Sequence, residues 1–477
     1  MLLHIIRKEL LDQLLNLRFA IACVVCLAVF LISSIVLTRD YRESMSTYNM
    51  NLVVHRNEVL QISEIWRLWQ GLTVDRPLNA MNTLVKGVAP GLTESVKVQG
   101  GGRLDFAETY EQNPVKPLFP EVDFVFIVGI IMSLLALAFS YDAVSGERES
   151  GVFKLLMSYS VPRDTVLIGK WIGGYLALIA PFLVSFVVGL VVMALFPEVE
   201  PTLDNTLALI GLLLLALLYL AAVYSLGIFV SCRTEIASTS ITVLLLVWVA
   251  FILAVPNMAP YITTQLLPVP SRESVDREKA EMQREGWRKM EQMMRDEQKR
   301  TGEENITWNR DNWSEEFRTQ VEDAQKKLGE EVQKVEDSFT TRMQDQNRWA
   351  GIIARLSPLT SFNLAAFDLA AAGIEQERLF VEALKNYGQT WEEYSRQKRE
   401  TFERYREERR KSGQGFDPQA MEQFNNLDLS DYPRMKFEYM SFRDRLGRVY
   451  VDILLLLLWN IVFFMFAYLS FLRYDIR

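Results

Sequence analysis

Six apolar blocks, each near the ~20 residues that an α-helix needs to cross a bilayer, constrain this chain more than any other feature. They fall at 19–37, 121–140, 171–196, 207–231, 238–256 and 449–472. Hydrocarbon offers no partner to a bare peptide group, so blocks of this kind must be helical. Half of the 477 residues are hydrophobic and 23% are charged. The two populations are segregated, with charge concentrated in the long gaps. The expectation is a mainly α membrane protein with six transmembrane helices.

Charge asymmetry orients those helices. Arg7, Lys8 and Arg18 precede the first block, Arg148, Lys154, Arg163 and Lys170 follow the second, Arg233 follows the fourth, and Arg473 and Arg477 end the chain. The short loop after the third block carries only acidic charge, at Glu198, Glu200 and Asp204. By the positive-inside rule both ends lie in the cytoplasm, and residues 38–120 and 257–447 form two large external insertions. Residues 1–18 place Ile6, Leu10, Leu14 and Leu17 on one stripe, the pattern of an amphipathic helix in a membrane interface. A signal peptide fits less well, because no small-residue cleavage site follows the apolar core.

Several function classes drop out on composition. The net charge is −8 with no long basic run, which argues against nucleic-acid binding. Cys23, Cys26 and Cys232 all lie outside the insertions, so no disulfide framework supports these. Only His4 and His55 are present, which removes most histidine catalysis and most zinc sites. Within the blocks, Pro181 is expected to kink its helix, and Gly169, Gly173 and Gly174 offer a neighbour close approach. Asp452 is expected at the outer interface. No block shows a buried carboxylate or basic pair, which speaks against an ion-coupled carrier.

The first insertion starts helical as far as Trp69 and then turns to Gly/Pro-punctuated sequence with short β-like pieces such as Thr93–Val98, ending at Gly100-Gly101-Gly102. It reads as a small mixed α/β lobe. The second insertion is mainly helical. Phe317, Val321, Ala324, Leu328, Val332, Val335, Phe339 and Met343 form one apolar stripe. Phe380, Leu384, Tyr387, Trp391, Tyr394, Phe402 and Tyr405 form another. One long helical hairpin or bundle, spanning 257–447, is the simplest packing. Residues 351–373 are apolar enough to suggest a seventh span, but Arg355 and Asp368 favour a segment resting on the outer membrane surface. Asn305-Ile306-Thr307 fits the glycosylation triplet and carries no weight, because such triplets arise often by chance.

Chemistry-bearing motifs are few. Gly146 and Gly151 have the spacing of a phosphate loop, but Val152-Phe153 stand where Lys and Ser/Thr are required. Gly169-Lys170 is followed by Trp171 and lacks the upstream glycine. Paired acids such as Glu147/Glu149 and Glu315/Glu316 come with no nucleophile or histidine and read as solvated helix surface. No enzyme emerges. The polar island 141–170 between the second and third blocks is more informative. Val152, Leu155, Leu156 and Tyr159 fall on one face of a short helix, and Glu147, Arg148, Glu149 and Lys154 surround it. Pro162-Arg163 breaks that helix, and Asp164 is placed to cap the next. An inert loop has no need of an apolar face, so a docking surface for a soluble partner is the preferred reading.

At these residues the chain resembles the membrane subunit of a type-2 ABC exporter (ABC-2 family). The resemblance rests on Tyr141-Asp142, Ser145-Gly146-Glu147, Glu149, Gly151, Leu155-Leu156-x-Ser158, Pro162-Arg163 and Gly169-Lys170, and on the six-span plan with an amphipathic first helix. The insertions, Leu356-Ser357-Pro358-Leu359-Thr360-Ser361-Phe362, and the ending Phe471 to Arg477 narrow it to a branch with large extracytoplasmic domains. That branch is similar to copper-enzyme-maturation and gliding-motility permeases, including members with a domain of unknown function. The resemblance implies a bacterial inner-membrane permease paired with an identical or homologous permease and with two copies of an ATPase, and possible external partners. It implies that the segment around Tyr141, Asp142, Ser145, Gly146, Glu147, Arg148, Glu149, Gly151, Leu155, Leu156, Tyr159, Pro162 and Arg163 couples to the ATPase. ATP and magnesium would then be bound by the partner, with no cofactor in this chain. Export is the leading function. The alternatives are a mechanical relay in which nothing crosses, favoured by the size of the insertions, and a membrane-anchored external enzyme, for which no catalytic constellation is present.

Overall fold

The first helix, α1 (Leu2–Leu14), turns at Asn16, whose side chain accepts from the Arg18 N–H and caps α2 (Leu17–Leu60). The computed structural model describes residues 1–89, 92–99, 104–106, 121–158, 161–199, 202–301, 313–412 and 427–473. Helix α2 continues far past the first apolar block, and its distal part belongs to a lobe that carries a small sheet. There β1 (Leu72–Asp75), β2 (Ser95–Val98) and β3 (Leu104–Phe106) form an antiparallel sheet in that order. Leu72 faces Val98, Asp75 faces Ser95 and Val96 faces Phe106. The expected mixed lobe is therefore present, and the β-like piece ending at Val98 is its central strand.

The chain then returns through α3 (Phe124–Phe126), a π-turn (Ile127–Met132) and α4 (Ser133–Ser140). Two short helices follow, α5 (Ser145–Glu149) and α6 (Val152–Ser158), before α7 (Arg163–Ala194) and α8 (Leu203–Arg233). Pro181 lies within α7, which continues through it. After α9 (Ala237–Trp248) a second π-turn (Val249–Ala254) leads to α10 (Val255–Leu266), then α11 (Arg272–Thr301), α12 (Glu315–Ala354), α13 (Pro358–Leu369), α14 (Ile374–Lys411) and α15 (Phe442–Leu472). Among the described residues, six helices are long and apolar enough to span a membrane: Leu17–Leu60, Phe124–Glu149, Arg163–Ala194, Leu203–Arg233, Ala237–Leu266 and Phe442–Leu472. Each overlaps one of the six apolar blocks, most of them running on beyond it.

Two compact units emerge. The first comprises Met1–Leu253, Ser357–Arg406 and Phe416–Arg477, and the second Ala254–Leu356 with Glu407–Gly415. In the first, Phe30, Phe124, Phe182 and Phe186 interlock with ring centres 5.6–6.5 Å apart and form part of the bundle core. In the second, α12 packs on α10 and α11, with Met290, Met294, Trp313, Phe317 and Val321 enclosed between them.

The segment 257–447 is thus not one helical domain. The two apolar stripes do not pair: the α12 stripe faces α11, whereas Phe380, Leu384, Tyr387 and Trp391 of α14 cover the sheet at Leu72, Val74, Val96 and Val98. The physical reason is that a sheet with one apolar face needs a cover, and α14 supplies it. Residues 358–369 also depart from expectation. Helix α13 does not rest on a surface but packs into the bundle against α8 and α15, with Phe362 stacked on Tyr219 at 4.8 Å. Asp452 is 2% exposed, enclosed by protein near the start of α15. Cys23, Cys26 and Cys232 are free thiols. The triplet at 305–307, the glycines 100–102 and residues 474–477 lie outside the described residues.

Candidate functional site

Residues 141–170 gather contacts from five separate helices. Arg18, in the first turn of α2, sets its guanidinium 4.9 Å from the Tyr141 ring centre and Nη1 2.7 Å from Asp142 Oδ2. Ser145, fully buried, opens α5. The Ser231 hydroxyl on α8 accepts from the backbone N–H groups of Val144 and Ser145 at 3.0 and 3.1 Å, and Ser145 Oγ donates to the Tyr141 carbonyl at 2.8 Å. These bonds satisfy the otherwise open N-terminus of a very short helix, which could not hold its shape unaided. Gly146 lies inside α5 with its N–H donated to Asp142 O, so its spacing to Gly151 builds no phosphate cradle.

The three charged residues that follow diverge. Glu147 Oε1 lies 2.7 Å from Lys170 Nζ, and the same ammonium lies 2.9 Å from Glu9 Oε1 on α1. The Lys170 side chain is 2% exposed. Lys8 stands 3.5 Å from both Glu147 and Glu9. Burial disfavours the Lys8 charge, but the carboxylates of Glu9, Glu147 and Asp12 outweigh it and hold the ammonium above its usual range. Arg148 donates through Nη1 to Thr234 O at 3.0 Å and lies 5.4 Å from the Phe153 ring centre. Glu149 Oε2 accepts from the N–H of Ala237 at 3.0 Å, placing a carboxylate at the start of α9 where the helix dipole favours it. A buried ion pair does occur at Lys170, the last residue of the loop before the third apolar block. Its partners come from α1 and α5, outside the apolar blocks, where a span-by-span reading does not look.

Gly151 has φ +77°, with nothing within 4 Å of where a Cβ would sit. The chain needs a residue that accepts the left-handed region there. The following helix, α6, buries Phe153 edge-on against Phe471 of α15 at 5.6 Å. Val152 and Leu155 are 44% and 66% exposed. The sequence reading put these two on one face but passed over Phe153, the residue that anchors the helix. The Leu156 side chain and the whole of Tyr159 lie outside the described residues. Pro162 occupies the N-cap position of α7, so Asp164 sits in the first turn rather than capping it. Arg163 Nη1 donates to Leu472 O at 2.8 Å, closing the last turn of α15.

Glu9, Arg18, Ser231 and Phe471 were missed as site residues. The glycines beside Lys170 were the available signal. A Cβ at Gly169 would lie 2.6 Å from Ile5 Cγ2, and one at Gly173 would lie 2.7 Å from Glu9 Cβ. The neighbour they admit is α1. Among the described residues, no group of three His, Cys, Asp or Glu is placed to hold a metal. The arrangement offers no acid–base or nucleophilic pair; it offers a braced platform bearing a short helix with exposed apolar residues.

A family model described as "ABC-2 family transporter protein" matches residues 3–476. One stretch of 75 residues is 40% identical to the probable ABC transporter permease protein NosY of Pseudomonas aeruginosa, covering 16% of this chain and 27% of that protein. A 72-residue stretch is 36% identical to the probable ABC transporter permease protein NosY of Stutzerimonas stutzeri, covering 15% and 26%. The matched stretch thus spans about a quarter of the length of these curated relatives.

Proposed function

This chain belongs to the ABC-2 transporter family, and on that premise we propose that it is the membrane subunit through which a separate ATPase drives export. In this reading residues 141–170 face the cytoplasm, both termini lie there, and the lobe carrying the sheet and the α11–α12 hairpin are extracytoplasmic in a bacterial inner membrane. Two ATPase subunits supply ATP and magnesium, and a second permease, identical or homologous, completes the membrane part.

The observation that carries this reading is the contrast at α6. Phe153 fixes the helix to α15, while Val152 and Leu155 are left exposed on a loop held by Arg18–Asp142, Ser231 and Lys170–Glu147. A surface meant to receive force must be stiff behind and apolar in front. Leu155→Asp should sharply reduce co-purification with the ATPase and the permease-dependent stimulation of ATP hydrolysis, with the variant still inserted in the membrane. Normal association and stimulation would remove the coupling assignment.

A second reading, motion relayed to the outer lobe with no passage of cargo, is favoured by how firmly that lobe is tied to the bundle. Asn79 Nδ2 donates to the carbonyls of Ala370 and Ala371 at 2.6 and 3.1 Å, and Arg445 Nη1 donates to Leu369 O at 3.2 Å. Val88 N–H donates to Ala372 O at 3.0 Å, and Arg76 makes a two-pronged ion pair with Glu377. These bonds hold the end of α13 and the start of α14 to both lobe and span.

A further inference from the structure

We propose that Lys170 is a positioning residue that fastens α1 to the input loop, so that α1, α5 and the start of α7 move as one body. The inference rests on the coupling reading above, because it assigns a path to a push received at α6. Three features support it.

The first is the shared ammonium. Lys170 belongs to α7, Glu147 to α5 and Glu9 to α1, and the lysine lies 2.7 and 2.9 Å from the two carboxylates. Two carboxylates at hydrogen-bond distance offset the loss of water around an ammonium whose side chain is only 2% exposed. The second is the seam between α1 and α7. At Gly169 and Gly173 the backbone of α7 is bare, and a Cβ at Gly173 would lie 3.0 Å from the Ile6 carbonyl and 3.4 Å from the Leu10 N–H. Helices this close interlock and resist sliding. The third is the balance of charge. Glu9, Glu147 and Asp12 face Lys170 and Lys8, and Lys8 is largely exposed. Without Lys170, Glu9 and Glu147 retain only that screened partner and repel one another, which parts α1 from α5. Helix α1 is then a second arm of the input rather than a raft in the interface: a push on α6 passes to Glu147, to Lys170, and through Glu9 into α1.

The test uses the full chain assembled with its ATPase subunit in nanodiscs. Lys170→Met should still co-purify with the ATPase, since Val152 and Leu155 are untouched, but stimulate hydrolysis at least tenfold less. Lys170→Arg should keep more than half of the stimulation. Glu9→Gln should lower stimulation in the same way with little change in side-chain volume, which a purely volumetric role for Lys170 would not produce. Separately, the distance between spin labels at exposed Leu11 of α1 and exposed Leu176 of α7 should be the same in nucleotide-free and vanadate-trapped complexes, because the seam does not open. Full stimulation by Lys170→Met or by Glu9→Gln, or a label distance that changes with nucleotide, would each overturn the proposal. If Leu155→Asp leaves ATPase association intact, the coupling reading fails instead; the label distance still reports whether α1 and α7 move together.

Discussion

Replacing Trp391 with alanine should loosen the sheet-bearing lobe while leaving the bundle of long apolar helices folded. Trp391 is fully buried, among the largest side chains enclosed by the protein, and shares its cluster with Val59, Leu68, Val74, Val96 and Val98. Truncating a buried Trp to Ala costs about 3–5 kcal/mol. At ~1.4 kcal/mol per factor of ten, that raises local opening by about 140- to 3,700-fold. Hydrogen exchange reads this directly: the amides of Leu72–Asp75 and Ser95–Val98 should lose protection by that order, while those of α12 should not. Trp391→Phe should be far milder. The indole Nε1 is buried without a hydrogen-bond partner, so the smaller ring loses some packing but also removes an unsatisfied donor, worth about 1–3 kcal/mol. If Trp391→Ala exposed Val321–Met343 and left β1 and β2 protected, the pairing of α14 with the sheet would be wrong and the single helical hairpin right.

Glu336 receives Arg272 Nη1 at 2.6 Å and Lys279 Nζ at 2.7 Å, and the Arg272 hydrogen bond holds its carboxyl below the usual range. A depressed folded-state pKa means the unfolded chain binds the proton first, so this contribution is complete above about pH 4.5 and is lost as pH falls through the folded value. The partners are partly exposed, so the size is below about 1 kcal/mol. Melting of the hairpin between pH 3.5 and 6 should flatten in Glu336→Gln; an unchanged slope would refute the assignment. For the sidedness, single cysteines at the exposed positions Leu155 and Glu322 should react with a membrane-impermeant maleimide from opposite faces of the membrane. Labelling from the same face would overturn the topology.

The parts legible in the sequence were those with a period or a length. Six spans announce themselves because hydrocarbon demands an unbroken apolar helix, and Thr93–Val98 shows as a strand because β-branched residues stand between glycine and proline. What stayed hidden was partnership. The α14 stripe looks the same whether its cover is a helix or a sheet, since Phe380, Leu384 and Trp391 only say that one face is buried. Helix α13 is apolar like a span but 12 residues long, too short to cross, and nothing local says that Phe362 will meet Tyr219. In the loop, residue types marked Glu147 and Leu155, but Phe153 was hidden in an apolar run. Lys170 read as one more basic residue because its partners are 161 and 23 positions away.

Helix α2 has a further geometric consequence. Its 44 residues extend about 66 Å, roughly twice the ~30 Å of bilayer hydrocarbon. Some 23 of those residues lie beyond Leu37, a rod of about 35 Å whose far end, at Val59, is built into the sheet's core. A tilt of about 5° at the membrane therefore displaces that end by about 3 Å, close to the rise of one strand residue. Under the relay reading the rod would be a fixed gear: angles too small to disturb packing among the spans would arrive at the lobe as steps as large as the rise of one strand residue.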